Sequence, residues 1–236
     1  MKKKIAVLSL AIAIIAIAVV GGSLAWFNDT DEVTNTFIVG DIDIEQHEKD
    51  NDGNAFVQNQ TMLPIVNTTA PSTDANYIDK VVTVENTGKN DAYVRTYIAV
   101  RSDLASLLTL DFGTLTGWTK DTNTETTATI DGVEHTLVSY TYNPKLLGMT
   151  GNTTDTSEAL LKGVYLNSNV DVIKNDNGTA NFTVDGTAVT TFDINSNTVE
   201  VIVATQGVQQ SGFSDAATAV NSAFPHSPWY VAPTTP

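Results

Sequence analysis

The sequence predicts an all-β chain, an antiparallel β-sandwich carrying one or two short helices. Three observations lead there. Apolar and polar residues alternate with period two over several stretches, above all 78–85 and 92–101. Asn-Gly and Asp-Gly pairs flanked by β-branched residues recur at Asp131-Gly132, Asn177-Gly178 and Asp185-Gly186. Long helical periodicity is missing between these stretches, which argues against alternating βαβ units.

The chain begins with Lys2, Lys3 and Lys4, then an apolar run from Ile5 to Val20, then Gly21-Gly22 and Ser23-Leu24-Ala25. A positive start, an apolar stretch and a small-x-small site form the pattern of a signal peptide over residues 1–25, cut between Ala25 and Trp26. Ile5 to Phe27 is also long enough to span a bilayer as an uncleaved anchor.

In the next segment Phe27, Val33, Phe37 and Val39 share odd parity, so an extended chain places them on one face. Past Gly40 the apolar residues move to even positions, Ile42 and Ile44. Strand side chains alternate strictly, so a change of parity requires a bulge or a break, and Gly40 is the residue best able to supply it. Residues 27–39 and 41–46 are therefore two strands with a hinge, or one strand with a bulge. The first alternative makes residues 26–40 a separable extended segment and a candidate donor strand. In that reading Phe27, Val33, Phe37, Val39 and Gly40 are the self-assembly residues.

Ile78, Val82 and Val84 face one way, with Asp79, Thr83 and Glu85 opposite; Asn86-Thr87-Gly88 turns the chain. Ala92, Val94, Ile98 and Val100 then alternate with Tyr93, Arg95, Tyr97 and Arg101. Phe213, Ala216, Ala217, Val220 and Phe224 lie on one helical face, with Ser214 as cap and Pro225 as stop. A second short helix fits near 102–108. No repeat period and no Pro/Gly-rich linker divides the chain, so residues 41–224 read as the sandwich domain and 225–236 as a C-terminal tail.

The composition narrows function. With 42% hydrophobic and 17% charged residues the chain can bury a core. The net charge is −15, and loss of the three N-terminal lysines leaves nine basic against 27 acidic residues, or −18. Such a surface repels phosphate backbones, so no nucleic-acid partner is expected. The absence of cysteine excludes disulfides, thiolate metal sites and a Cys nucleophile.

His47, His135 and His226 stand in unrelated contexts, and there is no H-E-x-x-H, G-x-S-x-G or phosphate-binding Gly-rich loop. Glu48, Asp50 and Asp52, followed by Gly53, partly match a calcium loop; a solvated acidic turn is the competing reading. No cofactor is expected.

Gly21, Gly22, Trp26, Phe27, Asp29, Asn35, Phe37, Gly40, Ile42 and Ile44 resemble the start of proteins exported with a SipW-type signal peptide. Three further blocks follow in family order: VTVENTGKNDAYVRTYIAV (Val82–Val100), LLKGVYLNSNV (Leu160–Val170) and the stretch from Val199 to Phe224. Together they resemble the TasA/camelysin family over about a third of the chain. The resemblance implies a jelly-roll-like sandwich, export by a SipW-type signal peptidase, and assembly of several members into biofilm fibres. It leaves 47–76, 111–155 and the tail unplaced.

The expectation is a secreted, non-enzymatic fibre or matrix subunit that polymerises with itself, with a minor fibre subunit or other matrix components as further partners. The alternative is a monomeric secreted or surface-tethered binding module. Members of the family have been described as peptidases, which makes a metallopeptidase the third reading.

Overall fold

The computed structural model describes residues 28–31, 41–58, 60, 62–122, 125–174, 179–193 and 199–232. The described strands are β1 (Asn28–Asp31), β2 (Ile44–Lys49), β3 (Ile78–Asn86), β4 (Ala92–Arg101), β5 (Leu108–Asp111), β6 (Trp118–Lys120) and β7 (Thr127–Ile130). They continue with β8 (Val133–Leu146), β9 (Asp155–Thr156), β10 (Leu161–Leu166), β11 (Val170–Lys174), β12 (Thr179–Val184), β13 (Thr187–Asp193) and β14 (Val201–Gln209). One α-helix, α1 (Ala216–Ala223), follows.

The six-stranded sheet runs β1-β14-β4-β8-β6, with β7 also on β8; the five-stranded sheet runs β2-β3-β10-β5, with β9 on β3. A small third sheet is β11-β12-β13. Every strand pair in these ladders is antiparallel. The two larger sheets close on one apolar layer. Ile42, Ile44, Ile78, Val82, Val84, Leu161 and Val164 on one side meet Ala92, Val94, Ile98, Trp118, Tyr140 and Tyr142 on the other. This is the antiparallel sandwich the alternating sequence predicts.

β3 alternates buried and half-buried residues along its whole length, as a strand with one wet face must. The Asn86-Thr87-Gly88 turn is a corner: it passes the chain from the five-stranded sheet to the six-stranded one. Asn86 is fully buried, and its Nδ2 donates to the carbonyls of Asn90 (2.9 Å) and Leu146 (3.1 Å). At Gly88 the chain crosses the segment leading into β2 so closely that a Cβ would stand 2.4 Å from the Asp41 carbonyl oxygen. The predicted Asp-Gly hairpins join β7 to β8 and β12 to β13; Asp131 and Asp185 both take φ of 50°, followed by Gly132 and Gly186 at 80° and 76°. Two consecutive left-handed residues match the twist of the flanking strands. Asn177-Gly178 lies outside the described residues.

Several expectations shift. The second strand begins at Ile44 and runs to Lys49, because Asp41–Asp43 is held by the corner instead of by a ladder. Residues 102–107 form successive turns, with Leu104 N–H on the Arg101 carbonyl and Leu107 N–H on that of Leu104, and no helix. The cap of α1 is Asp215, whose Oδ1 accepts from Thr218 N–H at 2.8 Å. Ser214 donates its hydroxyl to Asp215 at 2.8 Å. The buried face of α1 is Ala216, Ala219 and Val220, with Ala217 exposed.

β4 departs most from a one-sided pattern: nine of its ten residues are buried. Its second face is covered by α1 and by the tail. Tyr93 packs with Val208, Ala216, Ala219, Val220 and Phe224. Tyr97 and Ala99 pack with Leu137, Ala204 and Trp229. Arg95, 2% exposed, pairs through Nε with Asp121 Oδ2 at 3.0 Å and also donates to the Asn221 side chain.

Candidate metal centre on the outer face of β2 and β3

β2 is an edge strand, paired only with β3 inside its sheet. The register sets Glu45 opposite Glu85 and His47 opposite Thr83. Odd positions of β3 lie on the wet face, so Glu45, His47 and Glu85 project together toward solvent. His47 Nε2 lies 2.6 Å from Glu85 Oε2 and 4.0 Å from Glu45 Oε2. One ligating atom from each residue falls within 4.8 Å of the others. Side-chain exposures of 26% for His47, 22% for Glu85 and 55% for Glu45 make the group reachable from solvent.

Glu85 is the fixed member. Thr154 donates its hydroxyl to Glu85 Oε1, and this bond, with the His47 contact, holds the carboxyl below the usual glutamate range. Its other oxygen is left facing His47. Two carboxylates directly opposite across a ladder repel, so the arrangement calls for positive charge between them. An imidazole and two carboxylates within this span fit a divalent transition ion, which would need modest side-chain rotation to bring donors to about 3.4 Å from one another.

The residues singled out from sequence fall elsewhere. Glu48 points to the other face of β2 and pairs with Lys80, which is 4% exposed and lies 4.4 Å over the Phe56 ring. Asp50 accepts from the Asn54 side chain at 2.9 Å and from Asn54 N–H at 2.8 Å, bonds that hold it below the usual aspartate range. Asp52 is exposed in the same turn. Ala25, Trp26, Phe27, Val33, Phe37, Val39 and Gly40 lie outside the described residues.

His135 is buried, with Nδ1 3.0 Å from the Val133 carbonyl. His226 belongs to the tail, 2.6 Å from Glu125 and stacked on Tyr230 at 3.7 Å. Glu45, His47 and Glu85 do not form a sequence motif of the H-E-x-x-H kind, which registers only ligands one helical turn apart. An i, i+2 Glu-x-His in an alternating strand was the available local signal, but its third member sits 38 residues away from His47 in the chain.

Residues 1–69 match the family model described as camelysin metallo-endopeptidase. Over that stretch, under a third of its length, the chain is similar to the camelysin family. The match contains Glu45 and His47 and ends before Glu85. No curated protein and no solved structure matches the chain. That description overturns the expectation of a non-enzymatic protein: the family model that residues 1–69 match is described as a metallo-endopeptidase, and the structure gathers Glu45, His47 and Glu85 into a cluster that could hold a metal ion. The absence of H-E-x-x-H excludes only the helical form of such a site, since strands can converge the same donors by register. Among the described residues no helix is long and apolar enough to cross a membrane.

Proposed function

We propose that this protein is exported, cut near Ala25, and serves as a structural subunit of extracellular fibres or matrix, each copy joined to the next by its N-terminal strand. The observation that most supports this reading is the edge of the six-stranded sheet. There β14 is finished by the four residues of β1, which pair with Thr205–Val208; the described part of β1 does not reach Val201–Ala204, where the Val203 carbonyl accepts from Gln46 Nε2 at 3.3 Å. Backbone bonds of that kind form equally well with β14 of another copy. Donor and acceptor are different surfaces, so the contact is heterologous and propagates. In this reading Phe27, Val33, Phe37 and Val39 fill apolar positions along the acceptor, and Gly40 lets the segment leave its own domain. Partners are further copies, a minor subunit or matrix components, and a SipW-type signal peptidase.

The test is electron microscopy of protein beginning at Trp26, beside a variant lacking residues 26–39. Fibres from the first, and from the second none despite strand-rich circular dichroism, are expected. Normal polymerisation of the deletion variant, or a wild type that stays monomeric at high concentration, overturns the reading.

The family's description favours a second activity, metal-dependent endoproteolysis. A bound ion would supply Lewis-acid polarisation of a carbonyl or water; Glu45, His47 and Glu85 are the residues that would hold it. Chelator-sensitive cleavage of an unfolded protein substrate, lost in His47→Gln, is the expected result, and metal-independent or absent cleavage refutes it.

A further inference from the structure

We propose that Glu45, His47 and Glu85 form a binding site for a divalent transition ion of the zinc class, with Thr154 as the residue that positions Glu85. The site deepens the endopeptidase reading but does not depend on proteolysis.

Four observations carry it. The three donors are of the types that ligate such ions, and they lie within 4.8 Å of one another on two hydrogen-bonded strands. Strands fix the Cβ positions, so convergence costs only side-chain freedom, which is lower here than on a loop. Glu45 and Glu85 are in direct register, and the charge conflict between them is relieved by a cation. Lys49, the next residue of β2 on that face, stands opposite Val81, two same-face positions along the ladder from Glu85.

Thr154 supplies the outer contact that metal sites use to orient a ligating carboxylate: its hydroxyl occupies Glu85 Oε1, and Oε2 stays directed at His47. The site lies on an edge strand with a path to solvent, in a chain whose strong negative charge concentrates cations near its surface.

The donor set also decides the class of ion. Calcium takes six to eight oxygen ligands and magnesium keeps most of its water, whereas an imidazole nitrogen with two carboxylates suits zinc, cobalt or manganese. Three protein ligands leave a coordination position for water or another ligand, the arrangement of sites that do chemistry.

The test is isothermal titration of protein beginning at Trp26 with zinc(II), and with cobalt(II) followed by its visible absorption, both in parallel with calcium(II). The expected result is a single zinc site per chain, preferred over calcium by at least a hundredfold, with a cobalt spectrum that zinc displaces. His47→Gln and Glu85→Gln should each weaken zinc by more than tenfold, and Thr154→Val by about tenfold. Asp52→Asn, in the neighbouring acidic turn, should leave it unchanged. Circular dichroism of each variant controls for folding.

Zinc affinity unaltered by His47→Gln and Glu85→Gln, affinity lost instead in Asp52→Asn, or no saturable zinc binding at millimolar concentration would overturn the site. Zinc bound as described without peptidase activity would refute the endopeptidase reading and leave the site standing.

Discussion

Gly88→Ala adds one methyl group at the corner where the chain changes sheets, and its cost can be worked from the geometry. The new Cβ would stand 2.4 Å from the Asp41 carbonyl oxygen, 2.5 Å from Asp43 N and 2.6 Å from Ile42 Cα. Ordinary contact needs about 1 Å more at each, and all three are backbone atoms, so no side chain can swing aside. The segment 41–43 must move. It is tied to the corner by Thr87 N–H on Asp43 O (2.8 Å), Gly88 N–H on the same oxygen (3.3 Å) and Asn90 N–H on Asp41 O (2.9 Å). Each bond contributes about 1 kcal/mol net. Ile42 is 3% exposed in the main core, and part of its roughly 2 kcal/mol of burial goes with the shift.

The expected destabilisation is about 3–5 kcal/mol, in the tail of the distribution for single substitutions. Urea unfolding should show the midpoint falling by about 1–2 M with an unchanged slope. Gly132→Ala is the comparison: its Cβ meets nothing within 4 Å and its φ is 80°, so only backbone strain acts, at about 1 kcal/mol. If Gly88→Ala costs no more than Gly132→Ala, the close approach at the corner is not what holds the entry to β2, and the reasoning fails.

Three further outcomes follow from the same structure. Trp229→Ala should cost about 3 kcal/mol, because the indole is 9% exposed and meets the Tyr97 ring edge-on at 6.3 Å; a change below about 1 kcal/mol in chemical denaturation would mean the tail does not seal that face. Burial alone would raise the Glu125 carboxyl, but hydrogen bonds from Ser227 and His226 outweigh it and hold the group below its ordinary value. A lowered folded-state value means the stabilisation is present above the unfolded value and is lost as pH falls through the folded one. Glu125→Gln should therefore lower stability at neutral pH and shrink the difference from wild type in acid, and a difference that grows in acid would contradict this. In the fibre reading Phe37→Asp should abolish fibres, since a charge would enter an apolar position unpaired at several kcal/mol, while Ile38→Asp on the opposite face should be milder; equal effects by microscopy would argue against a one-sided strand.

What could be read from the sequence was whatever depends on neighbours along the chain. Period-two alternation marked β3 and β4, Asp-Gly pairs marked two hairpins, and Phe213 to Pro225 marked α1, because side-chain direction in a strand or helix is fixed by local geometry. Even there the cap lay one residue later than expected, since Ser214 and Asp215 are both competent caps and only the fold decides which backbone amides they meet.

Tertiary structure decided what depends on residues far apart. Local pattern gave β4 a polar face of Tyr93, Arg95 and Tyr97; that face is buried because α1 and Trp229, more than a hundred residues later, fold over it. Residues Asn86 to Gly88 read as a turn, and the sandwich makes them a crossing between sheets. The metal-ligating trio follows from one pairing, β2 against β3, whose register brings Glu85 to Glu45 and His47. A one-residue slip would turn Glu85 to the opposite face and dissolve the cluster, so no property of the separate segments could announce it.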